Sequence, residues 1–178
     1  MKRYRILAAA GTDQPGVVHL VSDFLYGHGC NMEDSRMAVL GGRFSLITLF
    51  SGEEGEVAAV ERDLGAFAAR AGLRTLLEEA VDPQAHRPEP GLPVRLELVA
   101  MDAPGIMVQL AGVLRDFRVN IESLDAHLSS APSSETTVSS VKMKVRVPPD
   151  VVLAELKDVL QELASRINLD VLFQPVQE

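Results

Sequence analysis

With 178 residues, 47% hydrophobic content and no tryptophan, the chain can bury one large or two small cores built mainly of Val, Leu, Ile, Ala and Met. Its net charge of −8 is shared by both halves, 9 basic against 12 acidic residues through Pro88 and then 8 against 13, so no basic face offers itself to nucleic acid. No apolar run approaches the roughly 20 residues that span a bilayer, Met1-Lys2-Arg3-Tyr4 leads into a strand-like run and not a signal peptide, and the single cysteine, Cys30, excludes an internal disulfide and fits a buried thiol in a reducing cytosol.

Taken in order, residues 3–10 read as a strand, with Tyr4, Ile6 and Ala8 alternating before a wholly apolar run. A helix over about 15–27 stops at Gly27-His28-Gly29, where glycine can close a helix in the left-handed conformation. Cys30 to Leu40 is a second strand, Gly41-Gly42 a hairpin signal, and Phe44 to Phe50 a third strand. Residues 51–55 break the chain. Glu56 to Ala71 carries Val57, Val60, Leu64, Phe67 and Ala71 at helical spacing, and Leu73 to Leu77 begins a fourth strand. The order βαββαβ is that of a ferredoxin-like antiparallel sheet with both helices on one face.

The same order then returns. Asp13-Gln14-Pro15-Gly16 recurs 89 residues later as Asp102-Ala103-Pro104-Gly105, and Asn31-Met32-Glu33 recurs as Asn120-Ile121-Glu122. One register for turn, helix face and strand signals a duplicated domain. The fold class is therefore α+β, with two tandem ferredoxin-like βαββαβ domains over 1–82 and 92–178. Between them, 83–91 belongs to a proline-rich, semi-extended linker. The second copy differs by a loop about seven residues longer, Ser129 to Glu135, which is either an inert insertion or a lid. Each small sheet exposes edge strands, which invite pairing, so at least a dimer is expected.

The repeated tetrapeptide sits at a strand-to-helix turn. Asp13 or Gln14 can cap the helix, with Pro15 in its first turn and Gly16 leaving the backbone approachable. The free N–H groups at that helix start suit a carboxylate. Asp13 suits an ammonium, and Asn31 offers a donor and an acceptor. That set describes a free amino acid, and Asp102, Ala103, Pro104, Gly105 and Asn120 repeat it. The competing reading is that Asp-x-Pro-Gly merely caps a helix.

Catalysis finds no support. His19, His28, His86 and His127 are scattered without metal-ligand spacing, and no P-loop, nucleophile elbow or His-Glu-x-x-His helix is present. His28 takes the position of Phe117 in the other copy, a helix end. The carboxylates Glu33/Asp34 and Glu122/Asp125 read as solvated strand residues before they read as an acid–base pair. No cofactor or metal is implied.

The Asp-x-Pro-Gly turn, the Gly29-to-Arg36 run and the Gly-Gly hairpin into Phe44 resemble an ACT domain. Two copies, with a Ser/Pro loop in the second, resemble the glycine cleavage system transcriptional repressor family. The resemblance implies a non-enzymatic cytoplasmic regulator that binds a small amino acid such as glycine and acts through a protein partner such as a transcription factor. It does not imply direct DNA binding, a membrane or a cofactor. By motif position it carries the ligand role to Asp13, Gly16 and Asn31 and to Asp102, Gly105 and Asn120. Ala103 for Gln14, and Ser123-Leu124-Asp125 for Asp34-Ser35-Arg36, set the two sites apart. Alternatives are an oligomerisation scaffold with vestigial loops, or a regulatory subunit of an amino-acid metabolic enzyme. A module preceding a phosphatase or deformylase domain would need a catalytic domain, and none is expected after Glu178.

Overall fold

Two stretches of alternating and helical patterning become two four-stranded antiparallel sheets in the computed structural model, which describes residues 2–87, 89–101, 103–130 and 137–176. The first unit runs to Arg87 and the second carries the rest of the chain. In the first, β1 (Lys2–Thr12), α1 (Val17–Gly27), β2 (Asn31–Leu40), β3 (Arg43–Glu53), α2 (Glu54–Ala71) and β4 (Leu73–Ala80) form a sheet of order β2-β3-β1-β4. In the second, β5 (Leu92–Met101), α3 (Ile106–Asp116), β6 (Asn120–Ser130), β7 (Thr137–Val147), α4 (Leu153–Ile167) and β8 (Leu169–Pro175) repeat it as β6-β7-β5-β8. Each is βαββαβ, as the sequence pattern predicts.

Each unit has its own core. Leu7 and Phe50 meet Val21, Leu25 and Val60 in the first, and Leu96 and Met143 meet Leu110 and Leu156 in the second, all essentially buried. Alternation fixes this, because residues at i and i+2 of a strand share a face. The faces turned away from the helices differ sharply. In the first sheet the register sets Ile6 against Leu49 and Ala8 against Ile47. At the matching points of the second stand Arg95 against Lys144 and Glu97 against Lys142.

Three expectations need correcting. Residues 51–55 are not a break: β3 runs to Glu53 and α2 begins at Glu54. The Glu56 carboxylate accepts from the Glu53 N–H at 2.6 Å in a capping box, so strand passes directly into helix. Neither Asp13 nor Gln14 caps α1. The N-caps of α1 and α3 are Gly16 (φ 90°) and Gly105 (φ 89°), without side-chain bonds, so the helices start later than the prolines. The turn requires glycine for its left-handed backbone. Finally, Asn31 pairs with Ser51 and Asn120 with Arg146, so the second hairpin is six residues longer and not seven. Of the longer loop, residues 131–136 lie outside the described residues.

A β-bulge recurs in both copies. Register skips a residue between Met32 and Asp34, and again between Ile121 and Ser123. The extra residues are Glu33 and Glu122. Glu33 meets Lys2 Nζ at 3.0 Å and accepts from Ser51 Oγ, whereas Glu122 meets Lys144 Nζ at 2.9 Å and the Arg146 guanidinium. These bonds, from Ser51 and then Lys2 in one case and from Lys144 and then Arg146 in the other, hold both carboxyls below their ordinary range. They stay ionised as structural anchors of the bulge.

Candidate ligand-binding site

The turn after β1 is tied to the β2–β3 hairpin. Asp13 N–H donates to the Gly42 carbonyl at 3.1 Å, and Arg43 Nη1 donates to Thr12 Oγ1 at 2.9 Å. Gly41 and Gly42 both have positive φ, as a two-residue hairpin turn of this kind demands. Asp13, Gln14, Pro15 and Gly16 are all exposed, and no heavy atom lies within 4 Å of where a Gly16 Cβ would stand. Among the described residues, no backbone carbonyl accepts from Val18 or His19 N–H, nor from Met107 or Val108 N–H in the second copy. Both helix starts therefore retain donors for an external acceptor.

The structure does not bring Asn31 to Asp13 within one copy. Tyr4 and Asn31 both stand level with Ser51, whereas Thr12 stands level with Arg43 beside the hairpin. Those levels are eight residues apart along β1, or ~26 Å at the usual strand rise. Asn120, paired with Arg146, is likewise at the far end of its sheet from Gly105. Asn31 instead contributes to holding Glu33 ionised. Asp102 lies outside the described residues.

At the second turn the predicted residues Ala103 and Gly105 border a cleft of about 280 Å3. Ile106, Met107, Ala126 and Leu128 give it apolar walls, His127 borders it, and Ser139 adds a hydroxyl on the sheet face that Ala126 and Leu128 share. Neither His127 nor Ser139 follows from motif reading. The signal lies in the register of the repeat: Ser139 pairs with Ala100 and Leu128, as Phe44 pairs with Gly11 and Val39, so a serine stands where the first copy has a buried phenyl ring. Such a cleft suits a ligand smaller than the drug-sized molecules that fill pockets of roughly 300–1,000 Å3.

Elsewhere, Cys30 is 4% exposed, and burial followed by the Glu56 charge pushes its thiol up, away from thiolate chemistry. Among the described residues no three His, Cys, Asp or Glu side chains converge to hold a metal ion. No helix among them is long and apolar enough to cross a membrane.

The sequence model of the ACT domain family matches residues 3–78. That match spans nearly the whole of the first copy. Over 94% of its length the chain is 24% identical to the glycine cleavage system transcriptional repressor of Escherichia coli strain K12, covering 87% of that protein, and the Shigella flexneri repressor matches equally. Among solved structures, an unknown protein from Galdieria sulphuraria superposes with a TM-score of 0.87 at 24% identity, covering 99% of this chain and all of that one. A provisionally assigned glycine cleavage system transcriptional repressor superposes at 0.71 and 22% identity, covering 100% and 99%. These likenesses show that the fold of both copies is shared with those proteins.

Proposed function

We propose that the chain is a regulatory protein without catalytic activity that binds a free amino acid at an Asp-x-Pro-Gly turn. The observation that carries this reading is the cleft at Ala103 and Gly105, where an apolar pocket adjoins a helix start with unengaged N–H donors. A carboxylate at those N–H groups is favoured by the helix dipole. The ammonium falls to Asp13 or Asp102 by motif position. Because one copy cannot bring its Asn to its own turn, Asn31 and Asn120 take no part in a site formed by a single copy. The relatives named as glycine cleavage repressors suggest that the readout is transcriptional.

With net acidic charge in both halves, the regulator acts in the cytosol as a dimer through a protein partner such as a transcription factor, without contacting DNA itself. A thermal-stability screen of the full chain against the twenty amino acids tests the ligand. An amino acid at 100 times its Kd should add about 2.7 kcal/mol, and no shift with any of them would refute the sensor. Sedimentation and a gel shift at physiological salt test the remainder: a monomer, or tight sequence-selective DNA binding by the chain alone, would contradict it.

A further inference from the structure

We infer that the two copies are unequal as ligand sites: the cleft beside Gly105 takes an amino acid with an aliphatic side chain, and Phe44 occupies the matching volume in the first copy. This rests on the reading of the chain as an amino-acid-binding regulator. The repeat register equates Gln14 with Ala103, Met37 with Ala126 and Phe44 with Ser139. At all three points the first copy has the larger side chain. Phe44 is 1% exposed and belongs to the first core together with Val17. In the second copy Ile106 stands for Val17, Ala100 for Gly11 and Leu128 for Val39, which only partly fill the place of the ring, and a cleft opens beside Ser139.

The lining sets the class of ligand. Ile106, Met107, Val108, Ala126 and Leu128 present aliphatic surface, and the Ser139 hydroxyl, on the same sheet face as Ala126 and Leu128, can hydrogen-bond. Among the described residues no carboxylate, lysine or arginine lines the cleft, which favours a ligand with an uncharged side chain. Glycine would leave the apolar walls uncovered. Each buried methylene strengthens binding about fourfold, so an isobutyl or isopropyl group gains well over tenfold.

Calorimetric titration of the full chain with L-leucine, L-valine, L-methionine, glycine and L-glutamate tests this, on the wild type and on Ser139→Phe and Ala126→Met, each with its melting curve. We expect one site per chain for at least one aliphatic probe, binding at least tenfold tighter than glycine or glutamate. Each variant should weaken that binding at least tenfold without lowering the melting temperature, because the first copy already accommodates these side chains. Should Ser139→Phe fail to fold, Ala126→Met decides alone. Two equivalent sites, glycine or glutamate binding as tightly as the aliphatic probes, or unchanged affinity in folded variants would overturn the inference while leaving the regulator standing. Silence toward all twenty amino acids would remove both.

Discussion

The two copies share a backbone and disagree about what to do with it. The first fills the ground beneath its Asp-x-Pro-Gly turn with Phe44 and leaves the outer sheet face apolar around Ile6, Ala8, Ile47 and Leu49. The second empties that ground at Ser139 and covers the same outer face with Arg95, Glu97, Lys142 and Lys144. Duplication preserved what the fold needs: the left-handed N-cap glycine, the bulge and the buried strand faces. It released what the fold does not need, and that is where a division of labour can arise.

The largest expected effect breaks this comparison at its centre. Phe44→Ser should destabilise the first copy by about 3–5 kcal/mol, the range for deleting a buried phenyl ring, read by hydrogen exchange of the β1 and β3 amides. The reciprocal Ser139→Phe should be neutral or stabilising in β5 and β7. Equal costs in both directions would mean that the cleft is not space vacated by a ring.

Gly16→Ala and Gly105→Ala probe what the copies keep in common. Both glycines sit at φ near 90° with open space where a Cβ would go, so the cost is backbone strain alone, about 1–2 kcal/mol each. Thermal melts of the two variants should shift alike. A cost at only one turn would show that the shared conformation does not matter equally.

A subtler divergence lies at the ends of α1 and α3. Gly29 (φ 82°) matches Arg118 (φ 57°) in the repeat. A Cβ on Gly29 would stand 2.5 Å from the Glu56 carboxylate, which is engaged in the capping box. The second copy has Val152 at the position of Glu56 and so tolerates a side chain, with Arg118 bonded to Asp150. Arg118→Gly should therefore stabilise by up to about 1 kcal/mol, strain relief being partly offset by the lost surface ion pair. Gly29→Ala should destabilise by more than that. Denaturant midpoints of the pair check the sign.

The smallest effect is acid sensitivity. Asp63 is held down to about 2 from 3.8 by the Arg62 bond and then by His28, whose Nε2 lies 3.1 Å away. A depressed carboxyl contributes stability above its unfolded value, and that contribution is lost as pH falls through the folded one. The link between α1 and α2 should thus weaken from about pH 4 toward pH 2. The second copy has Phe117 and Val159 at those positions and lacks this ionic link. Both copies lose the Glu33 and Glu122 anchors as pH drops below 4.5. Chemical-shift titration of amides in α1 and α3 would register the difference, and identical acid profiles would sink it.

Much of this was legible in the chain. Alternation and helical spacing place all twelve elements, because both periods report burial directly. The β3-to-α2 passage was misread since Gly52 and Gly55 look like a break. In the fold Gly52 serves close packing instead, a Cβ there falling 2.8 Å from Cys30 Sγ. Motif reading singles out Gly105, which borders the cleft, but joins Asp13 to Asn31, because a repeated spacing says nothing about which end of a sheet a residue occupies. His127 and Ser139 stayed hidden for a related reason: only strand register shows Ser139 standing where Phe44 does.

The bulges have a bearing on life in a crowded cell. An intruding strand that docks along β2 or β6 must match a ladder interrupted at Glu33 or Glu122, where one extra residue throws a straight partner out of step. A one-residue slip would turn every side chain of the newcomer to the wrong side. Each sheet thus carries a built-in toothed key at one of its two edges, β2 or β6, admitting there a strand of compatible kink and turning away the flat, repetitive stacking from which fibrils grow.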